Sequence, residues 1–354
     1  MSKFYSLLLS LCLMLLLMLT AGCKDDTTSP NNTPEINPIL LVANHSGGIG
    51  TISMVDLGTG SVSNVDALML GDAPNDIIAW SDFLYIINSG SHTMSKVRVV
   101  NRTTLILEDT LYVGGRNSTR SPKFGAIYND EKIYITNYAD GTISVYDLLT
   151  DRPRYTLEEV GKSLADIEVI GSYLYICDSG YDPVLETYEQ GKVLVVNALT
   201  EAIDTTISVG TNPQYMAVDQ TGRLHVVCSG NGSDQAGQVW IINPLLNEVV
   251  QVINNIGSEP GDIVINEGDI AYVAAGGWDA DPGLVFRYNA STGLILNGPD
   301  NPIEVGRGAM RVALGPENEV YVSCYTANRI DKIIGADRVD SYTVGQGPSP
   351  MIIY

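Results

Sequence analysis

Basic residues are scarce in this chain of 354 residues: 20 Lys and Arg stand against 41 Asp and Glu, which gives a formal net charge of −21. A protein of this charge repels the phosphate backbone of nucleic acids, so the composition argues against nucleic acid as a partner. The negative electrostatic field of such a protein would attract a cationic ligand or a divalent metal. It also suits an acidic surface that only keeps the protein soluble.

Histidine is rare as well, and the motifs of familiar catalytic centres are missing. The chain has no Gly-x-Ser-x-Gly elbow, no His-Glu-x-x-His and no Cys-x-x-Cys-His. His45 and His92 fall in loops of neighbouring repeats, where they could approach one another, and His225 lies within a strand, where we interpret it as structural. Distant loops could bring two carboxylates together, so the sequence does not exclude acid–base catalysis. The sequence therefore favours a protein that is not an enzyme, without deciding the question.

Cysteine is sparse, with five in the chain. Cys12 and Cys23 belong to the N-terminal segment, and Cys177, Cys228 and Cys324 occupy nearly the same place in three repeats. An odd number in an exported protein leaves at least one thiol unpaired. Because the repeats hold these three apart, we interpret them as small buried hydrophobic residues and not as metal ligands.

Long hydrophobic runs are also missing, since the apolar run from Leu8 to Leu19 is too short for a comfortable membrane span. We interpret residues 1–22 as a signal peptide, with Lys3 as its positive region. The ending Leu-Thr-Ala-Gly-Cys resembles the bacterial lipoprotein signal, which implies that Cys23 is acylated and anchors the protein by lipid. Ordinary secretion with Cys23 spare is the alternative.

The residues after Cys23 predict a location and a tether. Lys24-Asp25-Asp26 resembles the export signal of surface lipoproteins in Bacteroidetes-type bacteria. This resemblance implies the outer membrane and its cell-surface side, with attachment facing the periplasm as the alternative. The following residues are rich in Thr, Ser, Asn and Pro and show no apolar periodicity. We therefore predict that residues 23–37 are the acylated cysteine and a flexible tether.

A repeated hairpin is what the chain has in abundance. In KIYITNYADGTISVYDLLT, residues 132–150, two runs alternate apolar and polar residues at the strand period. Asp140-Gly141 between them is expected to supply the positive backbone angles of a tight turn. Seven such hairpins occur, and a Gly-x-x-Pro phrase precedes most of them at intervals of roughly 40–50 residues, the period of four-stranded propeller blades. The sequence therefore predicts an all-β, seven-bladed β-propeller over residues 38–354.

The two ends of the repeat array are incomplete in complementary ways. The first hairpin, near Leu40, has no Gly-x-x-Pro phrase before it, and the last phrase, residues 345–354, has no hairpin after it. We predict that Met351–Tyr354 supplies one strand of the blade formed by residues 40–70. This closure removes the free sheet edges of an open array.

The hairpin also carries a family resemblance. The YITN at residues 134–137 followed by GTISVYDLLT resembles the YVTN-repeat, YncE-like seven-bladed β-propellers, and the resemblance extends over nearly all of residues 38–354. It implies the fold and says little about function, because propellers host many unrelated activities.

Three consecutive repeats have enlarged loops between their second and third strands, at residues 178–192, 229–238 and 275–283. Loops longer than a hairpin needs are often functional, and those of consecutive blades should lie side by side. We predict that these loops form a ligand-binding surface. The alternative is that the loops are enlarged but bind no ligand. Asp-Ala-Asp-Pro at 279–282 resembles a fragment of a calcium loop without its full spacing, so calcium is a candidate only. The candidate ligand-binding residues of these three loops are the aromatic Tyr181, Tyr188 and Trp278 and the acidic Asp182, Asp234, Asp279 and Asp281.

A second candidate set stands two residues after the proline position of each phrase. If these side chains all point to the mouth of the central channel, they form a ligand-binding site of carboxylates, aromatic rings and one guanidinium. A carboxylate that merely caps its own turn is the alternative. The set is Asp76, Phe124, Asp166, Tyr215, Asp262, Arg311 and Pro350.

Together these features predict a membrane-anchored, extracytoplasmic protein that captures a ligand on one propeller face for an outer-membrane transporter. Among surface lipoproteins of this architecture, the chain resembles the cobalamin-capturing propellers, which makes a corrinoid a candidate ligand. No motif transfers a binding residue from them. Two alternatives stay open: a protein–protein interaction module without a small ligand, and a propeller enzyme of lactonase or lyase type.

Overall fold

The structure is a computed structural model, and it describes residues 37–45, 50–65, 70–71, 73–90, 95–114, 120–150, 152–232, 235–277 and 279–354. The predicted signal peptide, Cys23 and nearly all of the tether lie outside the described residues. No helix long and apolar enough to cross a membrane is found in the part of the chain that is described.

The described strands form seven blades, and we label the strands of each blade A to D from the ring axis outwards. In blade 1, strand A comes from the end of the chain. The strands of blade 1 are β1 (Ile39–Asn44), β2 (Thr51–Asp56), β3 (Val62–Val65) and β31 (Pro348–Ile353). Those of blade 2 are β4 (Pro74–Trp80), β5 (Phe83–Asn88), β6 (Lys96–Asn101) and β7 (Leu107–Tyr112). Those of blade 3 are β8 (Pro122–Tyr128), β9 (Lys132–Asn137), β10 (Thr142–Asp147) and β11 (Arg152–Leu157).

Blade 4 carries a small extra hairpin in its B–C loop, and strand D of blade 6 is split in two. The strands of blade 4 are β12 (Leu164–Ile170), β13 (Tyr173–Asp178), β14 (Tyr181–Asp182), β15 (Thr187–Tyr188), β16 (Lys192–Asn197) and β17 (Ile203–Ser208). Those of blade 5 are β18 (Pro213–Val218), β19 (Leu224–Cys228), β20 (Gln238–Asn243) and β21 (Glu248–Asn254). Those of blade 6 are β22 (Ile263–Ile265), β23 (Ile270–Ala275), β24 (Gly283–Asn289), β25 (Ile295–Asn297) and β26 (Ile303–Val305). Those of blade 7 are β27 (Ala309–Leu314), β28 (Val320–Cys324), β29 (Arg329–Ile334) and β30 (Asp337–Thr343).

The inner strands close a ring. Each strand A contacts the next in the order β31, β4, β8, β12, β18, β22, β27 and back to β31. The last strand pairs antiparallel with the first, with Leu40 opposite Ile353 and Asn44 opposite Pro348. The predicted seven-bladed propeller and its closure are confirmed, and the closing strand begins three residues earlier than Met351.

The turn between β9 and β10 differs in detail from the expectation. Gly141 has the positive φ of 66° that the turn needs, whereas Asp140 has none. The Asp140 carboxylate instead accepts hydrogen bonds from the Thr142 amide at 3.3 Å and the Thr142 hydroxyl at 2.8 Å. A Cβ at Gly141 would also collide with the carbonyl oxygen of Gly161, so glycine is required on two counts.

Seven apolar cores lie between the blades in the described structure, one at each boundary between neighbours. The two faces of each strand therefore point into different cores, which explains why second strands such as Leu84–Ile87 are apolar at consecutive positions. Apolar burial on this scale, about 25 cal/mol per Å², is the main source of stability. Residues 37–354 contain every one of these strands and cores, so the ring is complete without the preceding segment.

A buried tyrosine in strand B links each of blades 3, 4 and 6 to the next blade. The Tyr175 hydroxyl donates to the Pro244 carbonyl at 3.1 Å, and the Tyr272 hydroxyl to the Gly335 carbonyl at 3.1 Å. In blade 5 the equivalent position holds His225, which is fully buried and lies 2.7 Å from the Tyr288 hydroxyl. Burial lowers the pKa of His225 to about 4. This supports the interpretation of His225 as a structural residue.

The three cysteines of the repeats are buried, unpaired and located on strands B of different blades. Burial raises the pKa of Cys324 to about 12, which keeps its thiol protonated and unreactive. Cys177 and Cys228 belong to the apolar core between blades 4 and 5. All three therefore act as small hydrophobic residues, as predicted.

Candidate functional site

A bulge near the start of the inner strands directs the candidate channel residues. In blades 2, 3, 4, 5 and 7 the register between strands A and B shifts at this place, for example between Pro74 and Asp76 and between Pro213 and Tyr215. A bulge adds one residue to a strand and turns the neighbouring side chains. The sequence reveals the position of these residues through the proline phrase, but it does not reveal the bulge.

The structure brings the predicted channel residues together. A cavity of about 430 Å³, which we call the channel chamber, lies between the inner strands and is open to solvent. Five of the predicted residues line it: Asp76, Phe124, Asp166, Asp262 and Arg311. The sixth, Tyr215, packs edge-on against Phe124 with 5.7 Å between ring centroids. Pro350 of β31 is not among the residues that line the chamber.

Arg311 holds the centre of this cluster. Its guanidinium carbon lies 5.0 Å from the Phe124 centroid and 5.3 Å from the Tyr215 centroid, between two aromatic rings. Its nitrogens lie 3.3 Å from the Asp262 carboxylate and 3.6 Å from the Asp76 carboxylate. Burial alone would lower the pKa of Arg311, but these carboxylates outweigh it and the pKa rises above its ordinary value. Arg311 is therefore a fixed cation that links four other blades.

The three aspartates of the cluster connect neighbouring blades. Asp76 accepts a hydrogen bond from the Gly125 amide at 3.1 Å, and Asp166 accepts one from the Met216 amide at 2.7 Å. The Asp262 carboxylate accepts a hydrogen bond from a backbone amide of the next blade, blade 7, at 3.2 Å. Each also accepts a bond from the amide of its own following residue. These carboxylates therefore cap their own turns, and they also connect neighbouring blades.

The chamber contains more carboxylates than cations. Glu168, two residues beyond Asp166 on the same face of β12, also lines it. Burial, followed by the neighbouring Asp166, raises the pKa of Glu168 to about 8. Burial likewise raises the pKa of Asp166 to about 7 and that of Asp76 to about 6. Near neutral pH these carboxyls are therefore only partly ionised. The two-residue period of a strand, applied to Asp166, could have predicted that Glu168 lies beside it.

A second cavity, of about 290 Å³, lies at the channel mouth, and we call it the mouth pocket. Its lining comes from blades 3 to 7. Tyr215 forms part of it, so the layer of Tyr215, Arg311 and Phe124 separates this pocket from the channel chamber below. The side chains that the mouth pocket offers to a ligand are Tyr138, Tyr188, Asn212, Gln214, Tyr215, Ser229, Asn231 and Glu259.

Among the described loop aromatics, Tyr188 lines the mouth pocket together with Tyr138, and Tyr181 packs against both of them without lining it. Tyr181 and Tyr188 face each other in the β14–β15 hairpin with 5.1 Å between centroids, and Tyr138 stacks on Tyr181 at 6.5 Å. Lys123 lies beneath them, 4.4 Å from the Tyr138 centroid, and donates a hydrogen bond to the Gln214 side chain. Burial, followed by the nearby Arg311, lowers the pKa of Lys123 to about 8. Tyr138 and Lys123 did not emerge from the sequence, because only packing between blades places them here.

Glu259 faces the tyrosines from the opposite wall. Its side chain is exposed and has no hydrogen-bond or ion-pair partner among the described residues. Two glycines from other loops lie against its carboxylate, since a Cβ at Gly232 or Gly277 would collide with it. Both glycines have a positive φ, of 69° and 77° respectively. The carboxylate therefore lies against these two loops and can accept hydrogen bonds from a ligand.

Two further cavities open on the same face of the ring. One, which we call the outer cavity, has about 830 Å³ and lies between blades 5 and 6, where it is lined by Leu284, Phe286 and Ile295 among others. The other has about 410 Å³, lies between blades 4 and 5 and contains Trp240. These two cavities share Asn255 in their linings. Both cavities therefore lie beside the enlarged loops of blades 4 to 6.

The remaining candidates fall outside this arrangement. Trp278, Asp234 and His92 lie outside the described residues, so the approach of His92 to His45 stays a prediction. The His45 ring packs edge-on against Tyr325 with 5.2 Å between centroids. Asp182 accepts hydrogen bonds from the amides of its own turn, at 2.9 and 3.0 Å, which lowers its pKa.

The calcium candidate gains no support from the described residues. Asp279 forms an exposed ion pair with Arg307 at 2.5 Å. No group of three or more His, Cys, Asp or Glu side chains within the described ranges is arranged to hold a metal ion. The neighbouring Asp281 lies in the same loop, exposed to solvent.

Comparison with known proteins supports the fold. No protein-family model matches the chain, and no curated protein matches it. A Bacteroides fragilis protein that carries the name of a 6-phosphogluconolactonase is 17% identical, with a TM-score of 0.68 over 92% of this chain and 100% of that chain. Hydrazine synthase of Kuenenia stuttgartiensis is 17% identical, with a TM-score of 0.63 over 78% of this chain and 88% of that one. A protein from Lactobacillus plantarum is 12% identical, with a TM-score of 0.65 over 90% and 99%. At these identities the likeness concerns the fold alone.

Proposed function

We propose that this protein binds a ligand in the mouth pocket and along the adjoining face of blades 4 to 6, as the ligand-capturing part of a lipid-anchored, extracytoplasmic protein. The observation that carries the proposal is the mouth pocket itself. Separate blades contribute Tyr138 and Tyr188 on one wall and the Glu259 carboxylate on the other, and this carboxylate has no hydrogen-bond or ion-pair partner among the described residues. Aromatic side chains together with convergent polar groups are typical of ligand sites.

The lining sets the chemistry of the bound group. Tyrosine rings stack on flat or ring-shaped groups, the amides of Gln214, Asn212 and Asn231 both donate and accept, and Glu259 accepts. The expected ligand therefore offers a ring with hydroxyl or N–H donors. Carboxylates are poor partners for such a site in a protein of net charge −21.

The size of the cavities separates two kinds of ligand. At about 290 Å³, the mouth pocket lies at the small end of the range for ligand sites, about 300–1,000 Å³. A corrinoid is far larger, so only one end of it would enter. The rest would lie across the neighbouring cavities of the same face. The corrinoid candidate rests on the lipoprotein resemblance, and this arrangement of cavities is compatible with it.

The anchor and the partner rest on the sequence. The Leu-Thr-Ala-Gly-Cys ending supports acylation of Cys23, and Lys24-Asp25-Asp26 supports the cell-surface side of the outer membrane. An acylated cysteine followed by a tether would hold the binding face near a membrane transporter. Metabolic labelling with a fatty acid tests the anchor, since Cys23→Ala should abolish the label.

A thermal-shift screen of residues 37–354 tests ligand binding. The compounds are corrinoids, haem, calcium, glycans and common lactones. A ligand of the native state raises the melting temperature by mass action. Tyr188→Ala and Glu259→Gln should remove the shift without changing the melting temperature of the free protein. Leu185→Ala, in the same β14–β15 hairpin but exposed, is the matched control and should retain the shift.

The outcomes separate the alternatives. A shift that Tyr188→Ala removes and Leu185→Ala retains supports capture in the mouth pocket. A shift that survives both Tyr188→Ala and Glu259→Gln places the ligand elsewhere. Turnover of a lactone would replace capture with catalysis, and the absence of any shift would favour a protein partner. Trp278→Ala belongs in the same series, because its predicted role in binding stays a prediction.

A further inference from the structure

The outer cavity differs in chemistry from the mouth pocket. Its base consists of the apolar side chains of Leu284 and Phe286 on β24, and Phe286 is only 2% exposed. Ile295 of β25 forms a side wall and is 38% exposed. Polar residues such as Asn255 and Asp300 lie at the exposed edge. An apolar base with a polar rim is the usual form of a site for a hydrophobic group.

A break in the outer strand of blade 6 creates this cavity. Strand D is split into β25 and β26, both of which pair with β24, and residues 298–302 leave the sheet between them. Hydrogen bonds fix this excursion: the Asn301 side chain accepts from the Gly298 amide at 3.0 Å and donates to the Leu296 carbonyl at 3.1 Å. The Asn297 side chain donates to the Asn301 carbonyl at 2.8 Å. The cavity is therefore preformed, and a ligand would lose little free energy in ordering it.

The outer cavity and the mouth pocket share a wall. Ser258 lines the outer cavity and the next residue, Glu259, lines the mouth pocket. In the facing loop, Gly276 lines the outer cavity and Gly277 the mouth pocket. One molecule that crosses this two-residue wall would reach both cavities.

We propose that the outer cavity is a second subsite, which takes the hydrophobic part of an amphipathic ligand without negative charge. The polar ring of that ligand occupies the mouth pocket, so this inference rests on the proposed function. The site prefers an uncharged molecule because Asp300 and Glu259 border the two cavities and the protein carries a net charge of −21.

Methyl NMR of residues 37–354 tests this subsite with a defined probe. The probe is n-octyl β-D-glucoside below its micelle concentration, and methyl β-D-glucoside is the control that lacks the alkyl chain. We expect saturable shifts of the Leu284 and Ile295 methyl resonances with the octyl compound and none with the methyl compound. Ile295→Asp should weaken the apparent affinity at least tenfold. Ile334→Asp is the matched control, because Ile334 is 54% exposed on β29 of blade 7, and it should change nothing.

Each outcome decides the inference separately from the proposed function. If the Leu284 and Ile295 methyls do not shift, or if exposed methyls shift all over the protein without saturation, the subsite does not exist and the probe is an adventitious additive only. If they shift in wild type and in Tyr188→Ala alike, the apolar subsite stands and binding of the head group in the mouth pocket fails. If binding depends on both Tyr188 and Ile295, both proposals stand.

Discussion

Arg311 reaches across the channel to Phe124, with 5.0 Å between the guanidinium carbon and the ring centroid. The same side chain lies within ion-pair distance of Asp262 and Asp76. One cation from blade 7 thus compensates part of the acidic cluster at the ring axis. Its removal would leave buried carboxylates without a counter-charge, which is costly in free energy.

Arg311→Met should destabilise the protein in a pH-dependent way. At pH 8, where the carboxyls of Asp76 and Asp166 are ionised, we expect the free energy of unfolding to fall by about 3–5 kcal/mol. At pH 5 the loss should be smaller, because the pKa values of about 6 and about 7 leave both carboxyls largely protonated. Urea unfolding at the two pH values measures this. Arg307→Met removes an exposed pair and should cost less than about 1 kcal/mol at either pH; equal losses for both variants would contradict the central role of Arg311.

Glu168→Gln should stabilise the protein at alkaline pH. Burial raises the folded pKa of Glu168 to about 8, above the unfolded value, so the protonated carboxyl favours folding and this contribution is lost as the pH rises towards 8 and beyond. We expect the variant to gain about 4 kcal/mol over wild type between pH 5 and pH 9, at about 1.4 kcal/mol for each unit of pKa. Glu108→Gln, on the exposed side of β7, should show no such trend. A difference between Glu168→Gln and wild type that does not vary with pH would disprove the burial of a protonated carboxyl.

His225→Gln should change the acid side of the stability profile. Because the folded pKa of His225 is about 4, below the unfolded value, the unfolded chain takes up the proton first. Wild type should therefore lose up to about 3 kcal/mol relative to the variant as the pH falls from 7 to 4. Thermal unfolding across this range measures the difference. Parallel profiles would mean that the pKa of His225 is the same in the folded and the unfolded protein. A relative gain of wild type at low pH would mean that contact with Asp219 keeps His225 protonated in the folded protein.

Deletion of residues 345–354 should unfold the ring. It removes β31, which pairs with β1 and contacts the inner strands of blades 2 and 7. The exposed edge of β1 should then promote aggregation. Circular dichroism and gel filtration measure this, and deletion of residues 1–36 is the control, because it removes none of the described strands. A native melting temperature after the C-terminal deletion would refute closure by the last strand.

The repeat pattern predicts the fold well because alternation and turn residues act locally. The prolines of the Gly-x-x-Pro phrase begin β4, β8, β18 and β31, as expected. The site is harder to predict. The spacing of Glu168 to Asp166 could have predicted Glu168, but Glu259 lies against Gly232 and Gly277, in the B–C loops of blades 5 and 6. Contacts between blades leave no periodic signal in one sequence, which is why the loop tyrosines were found and their partner Lys123 was not.

Hydrogen–deuterium exchange with and without the ligand from the screen shows where on the protein the ligand binds. We expect slower exchange in the loop of residues 229–232, around Glu259 and in the β14–β15 hairpin, because these segments line the mouth pocket or pack against its tyrosines. The connections on the opposite face, such as the turn after Asp147, should exchange at unchanged rates. Protection confined to that opposite face would contradict the account, and so would binding with no protection at the mouth pocket.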